Sequence, residues 1–159
     1  MAVDQQEFRQ VMGHFATGVT VITTHDGKGN LFGLTANAVS SVSLDPPLVL
    51  CCIARSSESH AAFAASGVFS VHILSHAQEA LSRRFAKSGE DKFVGVAFGT
   101  GASGCPILEG SLAHLECEIR HHFEAGDHTI FVGEPIGISM DQETDPLLYF
   151  RGGYRNLSA

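Results

Sequence analysis

The chain has 159 residues, 44% of them hydrophobic and 17% charged, and carries a net charge of −7. That length favours one domain over residues 1–159, with enough apolar side chains for a real core and too few charges for disorder. The acidic balance excludes a broad phosphate-neutralising face for nucleic acid, and no apolar run approaches the length of a membrane span.

The first residues, MAVDQQEFRQ, are polar and acidic, unlike a signal peptide. Residues 4–15 read as a helix capped by Asp4 and Glu7, with Phe8, Val11, Met12 and Phe15 at the spacing of one buried stripe. Gly18 to Thr24 is β-branched and strand-like. The turn composition Asp26-Gly27-Lys28-Gly29-Asn30 then predicts a hairpin with a strand resuming at Leu31.

The most informative stretch follows, Gly33 to Ile53, reading GLTANAVSSVSLDPPLVLCCI. Its second half, Leu48 to Ile53, is wholly apolar beside a Pro turn and predicts a strand buried on both faces. Its first half is small and polar. Thr, Ser, Asn and Ala beside a core strand expose backbone N–H groups and short hydroxyls without filling space, which suits a flat hydrogen-bonding ligand. An edge strand leading into a turn accounts for the same composition. Cys51 and Cys52 should face opposite sides of their strand. With Cys105 and Cys117 they form no C-x-x-C pair, so reduced thiols in an intracellular, cytoplasmic protein are the simplest account.

Arg55-Ser56-Ser57-Glu58-Ser59-His60 precedes a short Ala/Phe helix. Its serines can cap that helix, and the same groups suit a phosphate. Gly67 to Leu74 is a strand. Ser75 to Lys87 reads as a helix opened by a Ser75–Gln78 capping box and ending in Arg83, Arg84 and Lys87, which complement the helix dipole or reach an anion. Residues 88–106 predict a long ordered loop anchored at Asp91-Lys92-Phe93. Ser111 to Phe123 alternates strictly, as a long curved barrel strand with one wet face would. It turns at Gly126-Asp127-His128, and Thr129 to Met140 returns. Pro146 to Phe150 is a last strand, with Arg151-Gly152-Gly153-Tyr154 a loop. Many strands and few separated helices predict a mainly β, mostly antiparallel barrel with helical insertions.

Among chemistries, hydrolysis finds no G-x-S-x-G elbow, and dinucleotide binding finds no G-x-G-x-x-G after a strand. The adjacent His121 and His122 point to opposite faces, so no metal site is expected.

GLTANAVSSVSLDPPLVLCCI, with FATGVTVITT near the start and PLLYFRGGYR at the end, closely resembles the flavin reductase family. The resemblance implies an FMN-binding split β-barrel of Greek-key, antiparallel type, and an NAD(P)H:flavin oxidoreductase. Such an enzyme passes hydride from NADH or NADPH to FMN or FAD and supplies reduced flavin to a partner monooxygenase, commonly as a homodimer. It implies that Thr35, Ala36, Asn37, Ala38, Val39, Ser41 and Val42 line the isoalloxazine ring and ribityl chain. It implies that Ser56, Ser57, Ser59 and His60 lie near the phosphate end and that Arg84 and Phe85 close over the flavin. His128 would meet the nicotinamide as the catalytic residue, with Tyr154 near the same pocket. Members of this kind often carry a polar or aromatic residue where Ala38 and Val39 stand, so the choice between FMN and FAD stays open. The sequence ends five residues after Tyr154, without the tail that some members fold over the nicotinamide, which leaves the affinity for the pyridine nucleotide open. A flavoprotein that retains FMN and oxidises another substrate, or a flavin-binding module without turnover, fits the same residues.

Overall fold

The computed structural model describes residues 3–89, 91–140 and 143–157. Helix α1 (Gln5–Met12) starts where Asp4 Oδ1 accepts from the Gln6 and Glu7 N–H groups at 2.8 and 3.1 Å, satisfying two otherwise orphan donors. Strand β1 (Thr17–Gly18) leads into β2 (Thr20–His25), which pairs with β3 (Leu31–Ala36) as the predicted hairpin. Then come β4 (Val39–Leu44), β5 (Pro47–Ala54), α2 (His60–Ser66) and β6 (Val68–Ile73). Gly67, at φ 72°, closes α2 in the left-handed conformation that glycine tolerates best. The Ser75–Gln78 capping box opens a 3-10 turn (His76–Gln78) that continues as α3 (Glu79–Phe85). The chain finishes with β7 (Phe98–Thr100), β8 (Pro106–Leu108), β9 (Ala113–Ala125), β10 (His128–Met140), β11 (Leu148–Phe150) and β12 (Gly153–Arg155).

Among the described residues, the main sheet has seven strands in the order β3-β2-β6-β9-β10-β5-β4, every neighbouring pair antiparallel. Its two outermost strands, β3 and β4, are consecutive in the chain and joined only by Asn37 and Ala38. Two residues span only a few ångströms, so the sheet has to curl until its edges meet. Among the described residues no ladder joins β3 to β4, so the barrel has a seam there. The fold is thus a mainly antiparallel split β-barrel, as the composition and the resemblance predict.

One core cluster fills the barrel: Ile22, Val49, Cys51, Ile53, Phe63, Phe69, Val71, Cys117 and Phe131. Gly133 lets β10 lie against it, since a Cβ there would fall 2.6 Å from Phe69 Cζ. A second cluster of Val19, Val21, Leu74, Phe85, Leu108 and Leu147 packs α3 and the 98–108 hairpin onto the outside.

Several expectations need correction. The helix stripe of Phe8, Val11, Met12 and Phe15 is not buried, each residue being at least half exposed, because among the described residues α1 packs into neither core cluster. The helix also stops at Met12 rather than residue 15. Strand β5 is buried on one face only: Val49, Cys51 and Ile53 are enclosed, while Leu48, Leu50 and Cys52 are intermediate. Residues 88–106 are not loop throughout, since β7 and β8 pair there; Glu90 lies outside the described residues. The supposedly wet face of β9 is covered at Glu116, whose Oε2 accepts from Ser103 N–H and Oγ–H at 2.8 and 2.7 Å. Arg151-Gly152-Gly153-Tyr154 is the turn and start of β12, which pairs with β11.

Candidate functional site

The seam between β3 and β4 is where the small polar stretch surfaces. Asn37, Ala38, Ser41 and Val42 are exposed, and Thr35, Ala36 and Val39 intermediate. A cavity of about 240 Å³ opens on this stretch, lined by Val19, Thr35, Ala36, Asn37, Ala86, Tyr149 and Tyr154. Its walls are thus a strand end of small residues, one alanine of the chain after α3, and two aromatic rings. A second cavity of about 530 Å³ lies along the same strand, with Gly33, Glu58, Ser59, Lys92, Phe93 and Phe98 in its lining. That volume is in the usual range for cofactor sites, about 300–1,000 Å³.

A series of hydrogen bonds connects the predicted segments. Thr35 Oγ1 donates to the Ser82 carbonyl at 2.6 Å, and Ser82 Oγ lies 2.7 Å from Tyr154 Oη. Ser59, buried, donates from Oγ to the Gly33 carbonyl at 3.3 Å. Lys92 Nζ donates to the same carbonyl at 3.1 Å and to the Phe85 carbonyl at 3.3 Å. Burial holds the Lys92 ammonium below its ordinary range, an effect that Glu58 opposes. His60 reaches β10, its Nε2 2.8 Å from Thr129 Oγ1. Arg55 N–H donates to the Asp127 carbonyl at 2.9 Å, which ties the serine segment to the Gly126-Asp127-His128 turn.

His128 is partly exposed, and its Nδ1 lies 2.7 Å from Asp127 Oδ1. A carboxylate accepts only, so Nδ1 carries the proton and Nε2 is the nitrogen left for a ligand. The His128 partner holds the Asp127 carboxyl below the usual carboxylate range. Ser56 is exposed and Ser57 intermediate, the latter accepting from Ser59 N–H at 3.3 Å. Arg84 is turned elsewhere: its Nη1 donates to the Val94 carbonyl at 2.6 Å, and it lines a separate cavity with Leu81 and Val96. Phe85 is buried against Gly33, where a Cβ would lie 2.5 Å from its ring. Ser82, Lys92, Tyr149 and Thr129 join the site without having been singled out from the sequence for it. Only Lys92 left a signal, within the Asp91-Lys92-Phe93 anchor.

A family model described as the flavin reductase like domain matches residues 12–158. The chain belongs to this family. This flavin reductase-like chain is 42% identical, over 95% of its length, to a probable flavin reductase of Rhizobium meliloti strain 1021, of which it spans about half, 48%. It is 40% identical over 98% of its length to HsaB, the reductase subunit of a flavin-dependent monooxygenase of Rhodococcus jostii RHA1, covering 80% of that protein. The solved structure of the NADH:FAD oxidoreductase SgcE6 of Streptomyces globisporus C-1027, in complex with NAD and FAD fragments, matches at a TM-score of 0.92. That match has 39% identity and covers 99% of this chain and 97% of the other.

The lining of the two cavities suits a flavin on its own geometry. A flavin needs a flat wall, polar atoms along one edge and a cation for its phosphate. Ala36 and Ala86 put nothing beyond Cβ into the smaller cavity, Asn37 supplies donor and acceptor at its rim, and Lys92 borders the larger cavity beside Ser59.

Proposed function

We propose that this chain is an NAD(P)H-dependent flavin reductase that binds FMN or FAD at the β3–β4 seam and releases it reduced to a partner monooxygenase. The carrying observation is the cavity on Thr35, Ala36 and Asn37, whose wall is pinned to Tyr154 through Ser82. When bound, the flavin supplies the hydride-accepting ring, so the protein has to bind, orient and shield rather than donate protons. Thr35, Ala36, Asn37, Ala38, Val39, Ser41 and Val42 line the ring and ribityl chain. Ser56, Ser57, Ser59 and His60 serve the phosphate end and Tyr154 walls the pocket, while Arg84, bonded to the Val94 carbonyl, and Phe85, packed on Gly33, back the site rather than close over it. His128, with Nδ1 held by Asp127, offers Nε2 to the nicotinamide carboxamide. The wall is partly open to solvent at Asn37, Ala38, Ser41 and Val42, which favours a flavin that exchanges over one kept as a prosthetic group.

The relatives' names fit this role, one being a monooxygenase reductase subunit and another a structure solved with NAD and FAD fragments. A homodimer suits the exposed apolar residues of α1 and of β10 at Ile136, Ile138 and Met140. A cytoplasmic setting suits the four free cysteines. Among the described residues no helix is long and apolar enough to cross a membrane.

The test is NADH oxidation by purified protein with excess FMN. Turnover that scales with free flavin supports the reductase. A tightly retained yellow cofactor with no NADH oxidation overturns it.

A further inference from the structure

Tyr154 lies on an edge strand. Strand β12 is the outer strand of a three-stranded sheet, β1-β11-β12, and pairs with β11 over three residues only. Its ring is held from α3 as well. The Ser82 hydroxyl lies 2.7 Å from the Tyr154 hydroxyl, and the Arg83 guanidinium sits over the ring, 4.7 Å from its centroid. Tyr149 meets the ring edge-on with centroids 5.5 Å apart. Ser82 is fully buried, and its carbonyl accepts from the Thr35 hydroxyl at 2.6 Å. One residue outside the cavity lining therefore touches two residues that line it, Thr35 and Tyr154.

We propose that Ser82 is a positioning residue that sets the spacing between Thr35 and Tyr154, and so the fit of the flavin ring between them. The inference rests on the reading of this cavity as the flavin site. The Thr35 hydroxyl has one proton and donates it to α3, so toward a ligand it acts as an acceptor. Ser82 thus fixes the polarity of one wall as well as the place of the other. A serine in mid-helix is otherwise a mild liability, because its hydroxyl competes with the backbone. Here the hydroxyl has a partner 72 residues away in sequence.

The test uses Ser82→Ala, Tyr154→Phe and the double variant, each of which removes the same hydrogen bond. Kd for FMN is read by quenching of flavin fluorescence, and KM and kcat by NADH oxidation. Each single variant should raise Kd and the KM for FMN about five- to tenfold, the loss of one net hydrogen bond. The double variant should be no worse than the weaker single, because the two residues act as one unit. kcat at saturating FMN should move less than KM. A double-variant loss equal to the product of the two singles overturns the inference. So does a Ser82→Ala protein with a lower Tm and an unchanged Kd. Wild-type protein that binds no FMN overturns the flavin reading itself, and the inference with it. Wild-type binding with both singles unaffected overturns the inference alone.

Discussion

His60 Nε2 donates to Thr129 Oγ1 across 2.8 Å, because the threonine proton is already given to Glu124 Oε1 at 3.1 Å. Glu124 also meets Arg55 at 3.2 Å, so with the Arg55 N–H bond to the Asp127 carbonyl the segment 55–60 is tied to the end of the β9–β10 hairpin at three points. The hydroxyl between them is almost fully buried. Thr129→Val keeps the shape and removes the bridge. It should cost about 1–2 kcal/mol and lower Tm by roughly 3–6 °C. Thermal melting with a flavin titration on the same samples checks it, and an unchanged Tm would show that the bridge contributes nothing.

His128→Ala removes the nitrogen offered toward the nicotinamide while leaving the β3–β4 seam intact. The KM for NADH should rise about tenfold or more, with the Kd for FMN within about twofold. Collapse of flavin binding with NADH affinity preserved would reverse the role assigned to His128.

His72 predicts an acid sensitivity. It is fully buried, its Nδ1 lies 3.0 Å from the Val21 carbonyl, and burial lowers its pKa to about 4. The His114 ring lies tilted beside it, centroids 6.0 Å apart, and disfavours a second charge, while Val21 and Glu116 oppose the shift. The folded state therefore takes up a proton less readily than the unfolded chain does. The stability linked to His72 is fully present above about pH 6.5 and is lost as pH falls toward 4, by about 3 kcal/mol in all. Urea melts at pH 7 and pH 5 should show a lower midpoint at pH 5, and His72→Gln should flatten the difference. Equal midpoints for the wild-type protein would refute it.

Gly133→Ala tests the close approach of β10 to the core. The new Cβ would lie 2.6 Å from Phe69 Cζ and 2.8 Å from Cys117 Cβ, inside packed atoms rather than solvent. A loss of about 1–3 kcal/mol is expected. A denaturant midpoint matching wild type would mean that the barrel relaxes around the methyl group.

The exposed apolar face of α1 predicts self-association. Val11 is 68% and Phe15 70% exposed in the single chain, more than isolated surface residues of this size explain together with Phe8 and Met12. Val11→Glu with Phe15→Glu should convert a dimer to a monomer in size-exclusion chromatography with light scattering. A wild-type protein that is monomeric at micromolar concentration would remove the basis of the proposal.

Much of the architecture was legible locally. The turn at Gly126-Asp127, the Asp4 cap and the Ser75–Gln78 box each depend on neighbours a few residues apart, and each stands where the sequence places it, whereas β9 runs from Ala113 to Ala125 rather than Ser111 to Phe123 and its burial does not alternate. The small residues from Thr35 to Val42 declared an unfilled wall because no side chain there is large enough to fill it. The resemblance to flavin reductases rested on the same stretch, and the family match confirms it.

Tertiary contacts decided the rest. Period and composition cannot say what an apolar stripe will meet, so α1 reads as buried although among the described residues neither core cluster takes it in. Nor can they say that Ser103 arrives from another hairpin to cover Glu116, or that two carbonyls, of Gly33 and Phe85, hold the Lys92 ammonium in place. The link from Ser82 to Tyr154 crosses 72 residues. Local sequence sets which residues can donate, accept or pack, whereas closure of the sheet at Asn37 and Ala38 chooses which of them meet.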